Sequence, residues 1–335
     1  MSETVLVTGA NGEVGHGLIP ELNKSGNIVI ALDVNDLDAS LKTHVKDFLK
    51  SSVTDKSSIE KLFAKYKIST IFHLAAVLST GAEKNPELAT DVNAGGTTLL
   101  LSLANAISRK EKRVIKFIFP STIAIYGLPD LDAKNKNAVV KEDQFQNPIT
   151  IYGITKLYCE KLGSYFSTNY QLLSTNNQRY LDFRCVRFPG IISALTLPTG
   201  GTSDYAPEMI HSAAKGEGYE CFVRPDTIIP FMVMPDAIKA LLQLTKVPKE
   251  SLKQLVYNIK AFSATADEIS RIVNSAFPDS SISYNPDLNR QKIVDSWPAQ
   301  IDDAKARSDW GWKPDYDIQK AFNNYLIPEI KNHYK

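Results

Sequence analysis

Tyr152-Gly153-Ile154-Thr155-Lys156 sets a phenol and an ammonium four residues apart. On a helix that spacing puts both on one face. A free tyrosine, with a pKa of about 10, is a weak base at neutral pH. A neighbouring cation favours the phenolate and lowers that value, which suits the pair to taking a proton from an alcohol. Upstream, Phe119-Pro120-Ser121-Thr122-Ile123-Ala124-Ile125-Tyr126-Gly127 is an apolar run ending in two adjacent hydroxyls. Ser121 or Thr122 can hold a reacting oxygen and donate to it as charge develops. The same hydroxyls can also simply close a strand as a local turn.

The N-terminal Val5-Leu6-Val7-Thr8-Gly9-Ala10-Asn11-Gly12-Glu13-Val14-Gly15 decides what that chemistry would act with. A short apolar run feeds into Gly-x-x-Gly-x-x-Gly, a strand turning into a helix through a loop with few side chains. Such a loop lets a pyrophosphate approach the backbone and meet the N–H groups at the helix N-terminus. Asp33 ends the next apolar run, at the spacing of a ribose-binding carboxylate. A carboxylate there accepts from both ribose hydroxyls and repels a 2′-phosphate, and Val34 and Asn35 supply no basic group. NAD rather than NADP is the expected cofactor.

The elements that must position these residues follow from the pattern. Strands are expected at 4–8, 28–33, 44–48, 70–74, 115–120 and 181–187, and helices at 13–24, 55–66, 86–108 and 151–169. Alternation of this kind predicts an α/β fold, a doubly wound parallel sheet with helices on both faces. The run 70–74 is apolar apart from His73, as a central parallel strand should be. Pro20 falls inside the first helix, where it removes one backbone hydrogen bond. After about 188 the rhythm breaks into proline- and glycine-punctuated loops. The expected organisation is a Rossmann domain at 1–188, joined by later segments such as 225–260, and a smaller C-terminal α/β substrate lobe at 189–335. The polar stretches 129–147 and 171–180 read as surface loops, and 132–137 as mobile and solvated.

The bulk numbers exclude several classes. The 335 residues carry 38 basic and 37 acidic side chains, a net charge of +1, so no strong field favours nucleic acid or an anionic membrane. No run has the apolar length of a membrane span. Met1-Ser2-Glu3-Thr4 leads directly into the first strand, so a cytoplasmic location is expected, or the mitochondrial matrix if a transit peptide has been removed. Cys159, Cys185 and Cys221 are odd in number and far apart, which does not suit a disulfide framework. The five histidines show no metal-ligand spacing with cysteines or carboxylates, so no metal is expected.

Gly9/Gly12/Gly15, His73-Leu74-Ala75-Ala76, Ser121-Thr122 and Tyr152/Lys156 together resemble the extended short-chain dehydrogenase/reductase superfamily. In that pattern the catalytic hydroxyl lies four residues before the aromatic that precedes glycine. Tyr126 precedes Gly127, so the resemblance selects Thr122, with Ser121 second. Later motifs resemble its epimerase-like, NAD-dependent L-threonine-oxidising branch. They are Asp182 to Ser193, Gly200-Gly201-Thr202-Ser203-Asp204-Tyr205-Ala206, Arg224-Pro225-Asp226-Thr227, Asp295-Ser296-Trp297-Pro298 and Ala306 to Lys313. Sugar-nucleotide epimerases place an asparagine soon after the arginine where this chain has Phe188-Pro189-Gly190.

The resemblance implies oxidation of L-threonine at C3 to 2-amino-3-oxobutyrate with hydride passing to NAD. Tyr152 is then the base, Lys156 its helper and ribose contact, and Thr122 the partner of the substrate hydroxyl. Ser79, Thr202 and Asp204 would bind the amino acid: an acceptor for the ammonium and donors for the carboxylate. The cofactor set would be Gly9, Asn11, Gly12, Glu13, Val14, Gly15, Asp33, Ser52, Val53, Leu74, Ala75, Ala76, Asn93, Tyr152, Lys156 and Pro189. The branch usually has an aspartate near position 52 for the adenine amino group. Ser52 can accept the same bond without charge. A homodimer through helices 86–108 and 151–169 is implied too, with Leu99, Leu100, Leu103, Ala104, Leu157 and Leu162 as the apolar stripe. The competing readings are an NAD-recycling epimerase or dehydratase, and a non-catalytic NAD sensor.

Overall fold

The computed structural model describes residues 2–137, 139–168, 180–198 and 201–335. The strands are Thr4–Thr8 (β1), Ile28–Asp33 (β2), Asp47–Lys50 (β3), Thr70–His73 (β4), Ile115–Thr122 (β5) and Leu181–Phe188 (β6), followed by Gly190–Ile192 (β7), Tyr219–Cys221 (β8), Ile228–Val233 (β9), Val256–Asn258 (β10), Phe262–Thr265 (β11) and Ile282–Tyr284 (β12). The helices used below are Glu13–Lys24 (α1), Lys56–Lys65 (α2), Ser79–Lys84 (α3), Pro86–Ala89 (α4), Thr97–Glu111 (α5), Leu131–Lys136 (α6), Ile151–Ser167 (α7), Tyr205–Lys215 (α8), Met234–Lys246 (α9), Ala266–Ala276 (α10) and Leu288–Asp295 (α11).

A seven-stranded sheet runs in the order β10-β6-β5-β4-β1-β2-β3. β1 pairs in parallel with β2 and β4, β2 with β3, and β4 with β5. The order reverses between β1 and β4, the switch point at which dinucleotides bind in doubly wound folds. There Thr8 and His73 stand directly opposite each other at the two strand ends. α1 buries Gly15, Leu18, Ile19 and Leu22 at helical spacing, and runs through Pro20.

The chain divides into two compact units. The first contains Met1–Ser121, Ile154–Val186 and Leu241–Val256; the second contains Thr122–Gly153, Arg187–Ala240 and Tyr257–Lys335. The core of the first gathers Leu6, Ile30, Ile71, Phe117, Phe119 and Phe183 from the strands with Ile59, Leu100 and Ala104 from the helices. The second holds a three-stranded sheet, β11-β9-β7, and a two-stranded one, β12-β8.

Several sequence expectations are corrected. The strand expected at 44–48 lies at Asp47–Lys50, because Ala39–His44 winds into a short 3-10 turn ahead of it. The helix expected at 86–108 is interrupted by a π-helical stretch at Thr90–Gly96. At its end Gly96 packs closely on Val53: a Cβ there would fall 2.5 Å from Val53 Cγ2. The segment read as mobile and solvated contains α6, anchored by the buried Lys134, whose Nζ donates to the Val294 carbonyl at 3.0 Å. Leu100 and Ala104, assigned to an interface stripe, lie in the core, with Leu99, Leu103 and Leu162 packed on it. Of the stretch 171–180 read as a surface loop, residues 171–179 lie outside the described residues, as does Gly200. α7 ends at Ser167.

Candidate active site

The first unit carries the glycine loop. Gly9 has φ +68°, and a Cβ on it would fall 2.6 Å from the Ala75 nitrogen. A Cβ on Gly15 would fall 2.2 Å from the Ala10 carbonyl oxygen. These two glycines allow backbone to pack on backbone. Gly12 differs, meeting only the Gly9 carbonyl, at 3.3 Å. It is the N-cap of α1 and offers no capping side chain. This is the division of labour a pyrophosphate site requires: a tight turn, an open approach, and close helix packing. The residues therefore fit an NAD pyrophosphate.

Asp33 ends β2 with its carboxylate oriented by the backbone. Oδ2 accepts from the Asn11 N–H at 3.0 Å and Oδ1 from the Asn35 N–H at 2.9 Å. The Asn11 side chain holds the following loop, donating to the Asp36 carbonyl at 3.1 Å and accepting from the Asp38 N–H at 2.9 Å. Ser52 Oγ accepts from the Thr54 N–H at 3.2 Å and pairs with its hydroxyl at 2.7 Å. Val53 is buried. Leu74, Ala75 and Ala76 continue from the end of β4, where the Leu74 N–H donates to the Thr8 carbonyl. Asn93 sits within the π-helical stretch and grips Val77: its Oδ1 accepts from the Val77 N–H at 2.7 Å and its Nδ2 donates to the Val77 carbonyl at 3.0 Å. Glu13 and Val14 open α1, and Ser79 is the first residue of α3.

Tyr152 and Lys156 stand one turn apart on α7. The Tyr152 phenol is hydrogen-bonded to the Thr122 side chain. Thr122 also caps the short turn at Ile123–Ile125 by accepting from the Ala124 N–H at 3.1 Å, so one hydroxyl both closes the strand and meets the base. Two glycines permit the approach. A Cβ at Gly153 would fall 2.1 Å from the Ala124 carbonyl oxygen, and one at Gly127 would fall 1.7 Å from that of Asn147. Lys156 is buried in the first unit, where Nζ donates to the Pro120 carbonyl at 2.8 Å and lies 4.4 Å from the Phe119 ring centre.

The electrostatics correct one expectation. Desolvation pushes the Tyr152 phenol up to about 12, opposed only in part by the Thr122 hydrogen bond. Burial brings Lys156 down to about 8. The protein surroundings favour the neutral form of each group. Ser121 Oγ is buried without a hydrogen-bond partner among the described residues.

In the second unit, Thr202 is buried and Asp204 precedes α8. The Asp204 carboxylate does not cap α8. Its Oδ2 accepts from the Gly201 N–H at 2.6 Å and folds the loop back on itself. Arg290 donates to the Gly201 carbonyl at 2.6 Å. Pro189 and Trp297 are buried, the latter as packing.

Residues 5–259 match the NAD dependent epimerase/dehydratase family. The chain belongs to that family. It is 35% identical over 330 residues to the mitochondrial L-threonine 3-dehydrogenase of Bos taurus, covering 97% of this chain and 82% of the bovine one. Among solved structures, a monomeric L-threonine 3-dehydrogenase from a metagenome superposes with a TM-score of 0.87 at 35% identity, over 99% of this chain and 100% of the other. The GalE-like L-threonine dehydrogenase of Cupriavidus necator, in its holo form, gives 0.85 at 31% identity, over 99% and 100%. The family match taken together with these relatives makes this an NAD-dependent oxidoreductase.

Sequence reasoning missed the support around these side chains. The buried Arg187 donates to the Tyr126 hydroxyl at 2.8 Å and to the Glu142 carbonyl at 2.6 Å, and Tyr126 donates to Asn258 Oδ1 at 2.7 Å. This network holds the turn that follows Thr122. Its signal was a lone arginine in an otherwise apolar strand end, which no spacing rule connects to a tyrosine 61 residues away.

Proposed function

We propose that the protein oxidises L-threonine at its C3 hydroxyl to 2-amino-3-oxobutyrate, using NAD. The observation that carries the reading is the hydrogen bond between Thr122, at the end of β5, and Tyr152, on the helix that also bears Lys156. It presents a hydroxyl and a phenol to one alcohol oxygen. NAD, when bound, supplies the hydride acceptor. Thr122 orients the C3 hydroxyl, and Tyr152 Oη takes its proton. The Lys156 ammonium favours the phenolate electrostatically and is the candidate ribose contact. Asp204 is assigned to the substrate ammonium, and Ser79 and Thr202 to its carboxylate. Gly9, Gly12 and Gly15 with Asp33 are assigned to the dinucleotide. The first unit is thus read as the NAD-binding domain, and the second as the substrate domain.

The close relationship to named L-threonine dehydrogenases over nearly the full chain favours this substrate over a sugar nucleotide. No helix among the described residues is long and apolar enough to cross a membrane. We place the protein in the cytoplasm or, as the bovine relative's name suggests, the mitochondrion. A homodimer is proposed from the half-exposed Ile154, Tyr158 and Tyr165 on α7. Light scattering tests it against the monomeric state of the metagenomic relative.

The testing experiment mixes pure protein, NAD and L-threonine, with L-allo-threonine, L-serine and UDP-sugars in parallel. Net NADH formation with L-threonine alone is expected. NAD binding without NADH release from L-threonine would overturn the substrate assignment.

A further inference from the structure

His73 closes β4 at the switch point, fully buried, in the middle of an aromatic layer formed with Phe117 and Phe119. A polar ring in such a place must have both nitrogens satisfied. Nδ1 lies 2.7 Å from Thr8 Oγ1, and Nε2 lies 2.9 Å from Thr97 Oγ1. Both partners are hydroxyls that could donate or accept, so the distances alone do not give the direction of either bond.

The neighbouring bonds do. Thr97 Oγ1 lies 2.5 Å from the Asn93 carbonyl, which can only accept, so the one hydroxyl proton of Thr97 is committed there. Toward His73, Thr97 is then the acceptor, and Nε2 carries the proton. Thr8 Oγ1 accepts from the Ala75 N–H at 3.3 Å, which leaves its own proton for Nδ1. Burial and the Lys156 charge hold the imidazole far below its usual range, down to about 3, so a second ring proton is absent at neutral pH. Every donor along the line points the same way: Ala75 N–H to Thr8, Thr8 O–H to Nδ1, Nε2–H to Thr97, and Thr97 O–H to Asn93.

The two ends of this line are the parts that a dinucleotide enzyme must keep in register. Thr8 immediately precedes Gly9, and the missing Cβ of Gly9 would fall on Ala75. At the other end Asn93 Nδ2 donates to Thr155 Oγ1 at 3.1 Å, beside Lys156, and the Asn93 carbonyl also takes the Cys159 thiol at 3.2 Å. Asn93 lies in the π-helical stretch, a distortion found frequently at functional sites. We propose that His73 is a positioning residue: with its single proton on Nε2, it ties the glycine-loop strand at Thr8 to the Asn93 turn that anchors α7 at Thr155.

The proposal separates two halves of one ring. Asparagine at 73 can keep an acceptor near Nδ1 but not the donor at Nε2; glutamine can keep the donor but not the Nδ1 acceptor. In His73→Gln, the Kd for NAD measured by calorimetry should rise about tenfold, the scale of one lost buried hydrogen bond, with kcat nearly kept. In His73→Asn, the affinity should hold while kcat falls by a similar factor. Two-bond 1H–15N spectra of the histidine-labelled wild type test the direction itself. Nε2–H with a bare Nδ1 is expected from pH 6 to pH 9. An Nδ1–H tautomer or an imidazolium signal for His73 would overturn the proposal, as would His73→Gln and His73→Asn losing affinity and turnover in equal measure. The spectra and the NAD affinities need no substrate, so an enzyme inactive on L-threonine would overturn the proposed substrate and leave those two readouts standing.

Discussion

The Arg224 guanidinium holds the Asp295 carboxylate through both terminal nitrogens, at 2.9 and 3.0 Å. Two motifs legible only separately in the sequence, Arg224-Pro225-Asp226-Thr227 and Asp295-Ser296-Trp297-Pro298, are therefore one structure. Gln291 completes it, donating to Asp295 Oδ1 at 2.8 Å and accepting the Arg224 N–H at 2.7 Å. The Ser296 carbonyl next takes the Leu128 N–H at 2.8 Å, so the pair supports the loop that follows Tyr126-Gly127. Arg224→Lys keeps the charge and loses the fork. Because the pair is partly exposed, the expected loss in urea unfolding is about 1–2 kcal/mol. An unchanged midpoint would show that the fork contributes nothing to stability.

Tyr152→Phe removes the ionisable oxygen and keeps the ring. Turnover should fall by roughly two to four orders of magnitude while NAD still binds. The pH profile adds a sign. A phenol pushed up to about 12 offers more base as pH rises, so kcat/KM of the wild type should climb through the neutral range. Lys156, brought down to about 8, loses its charge above that pH, and the climb should flatten there. Stopped-flow NADH formation from pH 6 to pH 9.5 measures both limbs. Persistence of the climb in Tyr152→Phe would place the base elsewhere.

Gly12 and Gly15 should fail differently. A Cβ on Gly15 meets backbone at 2.2 Å, so Gly15→Ala must displace the loop and destabilise the protein by about 1–3 kcal/mol. Gly12 has φ −72° and one tight contact, the Gly9 carbonyl at 3.3 Å, so Gly12→Ala should cost less stability than Gly15→Ala yet bind NAD at least about tenfold more weakly, its methyl standing in the pyrophosphate approach. Thermal melts beside NAD titrations separate the two. A Gly12→Ala protein with full affinity would remove the pyrophosphate from this loop.

Asp33 should make the enzyme selective for NAD. Steady-state kcat/KM with NADP is expected to be at least about a hundredfold lower, since a carboxylate at the ribose repels a 2′-phosphate. Equal efficiency with the two cofactors contradicts the assignment.

Lys134 is a buried ammonium whose Nζ donates to one carbonyl, and burial brings it down to about 8. Its folded value lies below its unfolded one of 10.5, so the unfolded chain binds more protons between pH 8 and pH 10.5, and stability rises with pH across that window. Below pH 8 the full cost of burying the charge is present. Lys134→Met should therefore stabilise the protein at pH 7, by about 1–2 kcal/mol after the lost hydrogen bond is counted, and by less as the pH approaches 10. Denaturant unfolding at both pH values checks it; destabilisation at pH 7 refutes it.

The sequence by itself determined the glycine loop, Asp33, the strand and helix alternation, and the Tyr152/Lys156 pair, because each is written in local spacing: backbone freedom at fixed offsets, a period of two or of 3.6, or one helical turn. It carried the family resemblance for the same reason. Only the tertiary structure decided the rest, since it depends on residues distant in the chain. Thr122 became the base's partner because Gly153 lets α7 approach Ala124. Tyr152 is pushed up rather than down because desolvation outweighs the help available from the protein alone. Lys134, polar and set in a low-complexity run, is buried because its amine meets a carbonyl 160 residues on. His73, read from its strand as one polar exception, gained its proton direction only from Thr97 and Asn93, two hydrogen-bond steps away on a helix that no local pattern pairs with β4.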